Sequence, residues 1–237
     1  MSRIFRNIRQ GSLKDSKFGR YVLYAVGEIV LVVIGILIAF SISNWSEGRK
    51  ARKLEEKMLS DIRSALKNNF FQVDLAMGCC RSGASSAKLI LDHLKEDKPY
   101  HDSLDVHFST AIQWCTPTLR NAGYESLKSK GLSVVTNDSI RVYLDIYNND
   151  WLDQLAQRQE DYFYGTASPV LVNLFDKVAM RSSMEPFDYE TLKESKEFLS
   201  ILKTSIAYRE DQIFWYRLWR SHYENIEKLI SEELETF

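Results

Sequence analysis

One carboxylate set in an otherwise apolar run has the most unusual chemical surroundings in this sequence. Glu28 lies in the stretch Tyr21 to Ile42, Y-V-L-Y-A-V-G-E-I-V-L-V-V-I-G-I-L-I-A-F-S-I, and is its only charged residue. An ionised carboxylate at the centre of a bilayer costs about 3 kcal/mol, and such groups face a protein interior or water. At about 100° per residue, Glu28, Gly35 and Ala39 fall within about 20° of one line along the helix, and Tyr21 lies on it too. Small residues on such a line let a second helix approach closely. The expectation is a contact seam in which a partner helix satisfies Glu28. A plainer reading places Glu28 near the membrane interface, about 10 Å along the helix from Tyr21, where it snorkels. A third brings several copies together so that Glu28 forms a ring that passes ions or protons.

The remaining reactive residues form no recognisable constellation. Cys79, Cys80 and Cys115 are an odd set. Adjacent cysteines bridge only with strain, so a disulfide would join Cys79 or Cys80 to Cys115 and leave one thiol. Alternatively all three are small buried hydrophobes. His93, His101, His107 and His222 show no H-E-x-x-H spacing, so no metal site is expected. No pair of carboxylates stands out for general acid–base work, no nucleophile elbow surrounds a serine, and no glycine-rich phosphate loop occurs. No cofactor is expected. Trp215 and Trp219, one helical turn apart, either line an aromatic pocket or bury a core seam.

The elements that carry these residues follow from periodicity and charge. Tyr21 to Ile42 is twenty-two residues long. As a helix it measures roughly 33 Å, enough for a hydrocarbon core of about 30 Å. Tyr21, Tyr24 and Trp45 fall where an aromatic belt would lie. Six basic and two acidic residues precede Asn44, and the rest of the chain carries a net charge of −5. Arg3, Arg6, Arg9, Lys14, Lys17 and Arg20 favour a cytoplasmic N-terminus, although Arg49, Lys50, Arg52, Lys53 and Lys57 nearly balance them. The apolar run is too long for an ordinary signal-peptide core, so an uncleaved anchor is expected. The mildly acidic remainder argues against nucleic-acid binding, which needs a concentrated basic face.

Four segments result. Residues 1–20 read as a basic amphipathic segment, with Ile4, Phe5 and Ile8 facing lipid. Residues 21–43 form the transmembrane helix and 44–78 a stalk helix, its stripe Leu54, Met58, Ile62, Leu66, Phe70, Val73 and Met77 ending at Gly78. Residues 79–237 form an all-α bundle. Within it the spacing predicts helices over 85–97 and 103–115, then one from Thr116-Pro117 to Gly131. A short extended piece follows at Leu132 to Thr136. A long helix capped by Asn137 or Asp138 then runs to about Gly165, its face carrying Ile140, Leu144, Tyr147, Trp151 and Leu155. Another starts at Ser168-Pro169, Ser182 to Asp188 is a loop, and helix resumes at Tyr189, the periodicity leaving a break near Thr204-Ser205 open. The last stretch carries Ile213, Trp215, Leu218, Trp219, Ile226, Leu229, Ile230 and Leu234.

Two stretches carry a resemblance. Tyr24 to Glu47, Y-A-V-G-E-I-V-L-V-V-I-G-I-L-I-A-F-S-I-S-N-W-S-E, and Gly123 to Arg141, G-Y-E-S-L-K-S-K-G-L-S-V-V-T-N-D-S-I-R, resemble a family of uncharacterised single-span inner-membrane proteins of Gram-negative bacteria. The likeness runs over the whole chain in order. It implies an inner-membrane protein with a helical domain on one side, and no activity. Together these readings predict a non-enzymatic interaction or sensor protein. Its partners are the bilayer and either further copies of itself or another membrane protein, and its ligand is open. The ion-conducting oligomer is the alternative.

Overall fold

The computed structural model describes residues 17–147 and 151–237; of the amphipathic segment expected over 1–20, all but the last four residues lie outside them. Among the described residues the fold is all-α, as the periodicity requires. Its elements are α1 (Lys17–Lys95), α2 (Leu104–Ile112), α3 (Ala122–Lys130), a short 3₁₀ turn (Leu132–Val134), α4 (Asp138–Tyr147), α5 (Trp151–Tyr162), a π-helical turn (Phe163–Ala167), α6 (Ser168–Leu171), α7 (Tyr189–Glu194) and α8 (Lys196–Leu234). The chain divides into two units, Met1–Leu54 and Glu55–Phe237.

The first unit contributes the apolar part of α1. Leu23, Val26, Ile29, Leu31, Ile36, Phe40 and their apolar neighbours are all exposed. A helix apolar on every side belongs in a membrane or in the core of a larger assembly. This stretch is long and apolar enough to cross a membrane.

The second unit has its own core. The stripe on α1 faces inward: Met58, Ile62, Leu66, Val73 and Met77 are buried, and Leu54 and Phe70 are half-buried. The helix does not stop at Gly78 but runs on to Lys95. A mid-helix glycine costs about 1 kcal/mol, and the buried run Ala76, Cys80, Ala84, Ala87, Ile90 and Leu94 outweighs it. The boundary between stalk and bundle expected after residue 78 therefore falls inside one continuous helix.

α8 is unbroken through Thr204-Ser205. The interruption comes earlier, at Ser195, whose side chain caps the helix by accepting from the Phe198 amide at 3.1 Å. α8 runs antiparallel to α1. Asp74 pairs with Arg220, Cys80 with Gln212 and Lys88 with Glu210, in reverse order along the two helices. α8 also packs on α2, α4 and α6. At one end the rings of Phe108, Phe175 and Phe198 meet edge to face, with centroids 5.1 to 6.0 Å apart.

The segment from Gln113 to Asn121 is not the expected start of a helix at Thr116-Pro117, because its backbone is used elsewhere. The Asn69 side chain donates to the Arg120 carbonyl at 3.2 Å and accepts from the Arg120 amide at 2.8 Å. Tyr216 Oη donates to the Cys115 carbonyl at 2.8 Å. α3 therefore begins only at Ala122, where Gly123 lets it approach α1; a Cβ there would lie 3.2 Å from the Ile62 amide nitrogen. α3 ends before Gly131, whose φ of +94° suits glycine. The piece after it is a 3₁₀ turn rather than extended chain. Asn137 then caps α4, accepting from the Ser139 and Ile140 amides at 3.0 and 3.3 Å. α6 is a single turn, after which Leu174, Phe175 and Val178 lie in non-helical chain bridged from Phe175 to Pro186.

Candidate functional site

The residues singled out by the sequence are dispersed. Tyr21, Glu28, Gly35 and Ala39 all lie exposed on the apolar part of α1, and open space surrounds Gly35. Cys79 and Cys115 are disulfide-bonded with Cα atoms 5.5 Å apart, and Cys80 is the free thiol. Burial pushes the Cys80 thiol up to about 12, partly opposed by Arg209 and Arg81. At pH 7 it is a neutral core group that donates weakly to Gln212 Oε1 at 3.5 Å.

Trp215 and Trp219 do not point the same way. Trp219 is buried against His222 and Tyr223, with centroids 5.7 and 5.9 Å away. Trp215 is half-exposed, and its Nε1 donates to Asp211 at 3.1 Å. Leu218, on the same stretch, is exposed.

The strongest chemical arrangement is one that the sequence reading passed over. The inward face of α8 repeats at steps of four and three: Phe198, Leu202, Ser205, Arg209, Gln212, Tyr216, Trp219, Tyr223, Ile226 and Ile230. Three consecutive positions on that stripe, Ser205, Arg209 and Gln212, are polar. They sit opposite the small residues of α1, and Gly83 faces Arg209 so closely that a Cβ would fall 2.2 Å from Nε. Arg209 is only 2% exposed. Its Nη1 donates to the Ser205 carbonyl at 3.0 Å and also to the Ser205 hydroxyl, and Nη2 donates to the Gln113 carbonyl at 2.9 Å. Burial lowers its pKa to about 10, so it stays a cation at neutral pH. Ser205 Oγ donates to the Ala111 carbonyl at 2.8 Å, and Gln212 Nε2 donates to Gln159 Oε1 at 2.9 Å. A polar layer thus ties α1, the exit of α2, α5 and α8 together within an apolar bundle.

Beside this layer is a small cleft of about 30 Å³, lined by Trp114, Gln159, Tyr162, Phe163, Tyr208 and Arg209 among others. The Trp114 indole stands edge-on to Phe163 and Tyr164, at 5.8 and 5.5 Å. Two buried donors here have no hydrogen-bond partner among the described residues: Trp114 Nε1 and Arg209 Nε. The π-helical turn supplies Phe163 and Ala167 to the wall, and such turns recur at functional sites. The legible signal was the polar interruption of the α8 stripe. The reading scored apolar residues, so Ser205, Arg209 and Gln212 were invisible to it.

Among the described residues the fold is thus all-α, with one helix long and apolar enough to cross a membrane. Residues 28–142, just under half of the chain, match a family of unknown function (DUF6090). The match contains the second quoted stretch entire and the first from Glu28 onward, a narrower span than the whole-chain likeness expected from the sequence. The comparisons with curated proteins and with solved structures each find no match.

Proposed function

We propose that this is a membrane-anchored, non-enzymatic interaction or sensor protein whose apolar helix associates with further copies of itself or with another membrane protein. The observation that carries the reading is Glu28. It is exposed on a helix apolar on every side, on one line with the small residues Gly35 and Ala39. A carboxylate there needs a partner, and the small residues make room for one. A bacterial inner-membrane location is proposed with it, the N-terminus in the cytoplasm and the domain in the periplasm. The basic N-terminal segment supports this orientation. So does the Cys79–Cys115 disulfide, since such bonds persist in oxidising compartments.

The test is the assembly mass of the full chain in gentle detergent, wild type against Glu28→Leu. We expect an oligomer, or a complex with a co-purifying membrane protein, that falls apart in the variant. An unchanged mass would remove Glu28 from the contact. The ion-conducting alternative predicts proton flux into liposomes that is lost in Glu28→Gln; a tight oligomer without flux discards it.

A further inference from the structure

We propose that the cleft beside α8 binds a small organic carboxylate, with Arg209 and Trp114 as the groups that hold it. The site lies wholly within the unit from Glu55 onward and does not depend on what the apolar helix does.

Among the described residues Arg209 is a buried cation without a counter-ion. A guanidinium has five N–H donors. Two of Arg209's are taken by Ser205 and one by Gln113, all neutral acceptors. That leaves Nε–H, packed against Gly83, and one N–H on Nη2. Among its ionisable neighbours only the Cys80 thiol favours its charged form, and that thiol is neutral at pH 7. An unpaired buried charge costs several kcal/mol, which an entering anion would offset. Trp114, whose indole N–H is also buried and unpartnered among the described residues, lines the same cleft.

The surroundings select the kind of anion. A guanidinium and one further N–H suit the two oxygens of a planar monoanion. A dianion is disfavoured, because Arg209 is the one cation buried among the described residues and Asp211 lines the adjoining cleft together with Arg158. Tyr162, Phe163 and Tyr208 give an aromatic wall for an apolar body. The cleft is small, about 30 Å³, so it admits a carboxylate head with a methyl group and is too small for a nucleotide. A water molecule could satisfy the Trp114 donor but not the charge.

The experiment follows the thermal midpoint and tryptophan fluorescence of the full chain in detergent micelles. Sodium acetate and sodium benzoate are titrated against acetamide and benzamide, with ionic strength held constant by sodium chloride. We expect a saturable rise in midpoint with the carboxylates, stronger for acetate because the cleft is small, and none with the amides. Trp114→Phe should weaken binding at least tenfold while helix content and the disulfide remain. Arg209→Lys should weaken it further, and if that variant does not fold, Trp114→Phe decides alone. The proposal is overturned if neither carboxylate acts beyond the chloride control, if the amides bind equally well, or if Trp114→Phe binds like wild type. Preferential binding of inorganic phosphate overturns the assignment to carboxylates. The assembly mass stays the same in every arm, which separates this outcome from the fate of Glu28.

Discussion

Placing a guanidinium inside a helical bundle is costly unless its hydrogen bonds are met and space is made for it. Ser205 and Gln113 supply acceptors for Arg209, and Gly83 supplies the space. The glycine is therefore required for packing rather than for backbone freedom. Gly83→Ala should lower stability by about 1–3 kcal/mol, because a Cβ forces the arginine or the helix to shift. Gly78→Ala, five residues earlier on the same helix, is the contrasting control. No atom approaches a Cβ there, so it should be neutral or stabilise by up to about 1 kcal/mol. Urea unfolding of both variants checks the pair, and equal effects would refute the packing argument. The position of Arg209 was legible as a polar step in a four–three stripe, but its partners were not. Gln113 lies 96 residues away in sequence from Arg209, and no local pattern connects them.

At the scale of elements, the sequence located most helices and misjudged several ends. Local signals were right where the chain satisfied its own backbone: Asn137 caps α4, and Gly131 closes α3. They failed where tertiary partners claimed the backbone. Thr116-Pro117 has the form of a helix start, yet its segment is pinned to α1 by Asn69 and by the disulfide. The pinning gives a measurable expectation. The bridge closes a loop of sequence separation 36, so reduction, or Cys115→Ser, should cost about 2–4 kcal/mol in urea unfolding. The same loss is expected for Cys79→Ser, and Cys80→Ser should leave the dependence on reductant intact. A stability that ignores reductant would show that the bridge contributes little.

At the scale of the whole molecule, the two units have opposite surfaces. One exposes nearly all of its apolar residues, and the other buries them around α1, α2 and α8. Glu55, 1% exposed, ties the start of the second unit to its interior, accepting from the Thr136 amide at 2.6 Å and from its hydroxyl at 2.8 Å. A fragment of residues 50–237 should therefore be soluble without detergent, helical by circular dichroism and cooperative in melting. The full chain should need detergent or lipid. A fragment that aggregates or melts without cooperativity would mean that the domain core depends on the apolar helix.

The sequence by itself determined the apolar helix, its lone carboxylate, the all-α class and the inward stripe of α1. Each of these is a matter of periodicity or composition within one segment, and hydrophobic burial acts on such patterns directly. Only the tertiary structure decided which cysteine pairs with Cys115, why α1 continues through Gly78, and that Arg209 and Trp114 share a cleft. Those outcomes depend on which groups meet across long stretches of chain, as Cys79 meets Cys115 over 36 residues and Cys80 meets Gln212 over 132. Packing against a distant helix settles them, and a reading along one segment has no access to that partner.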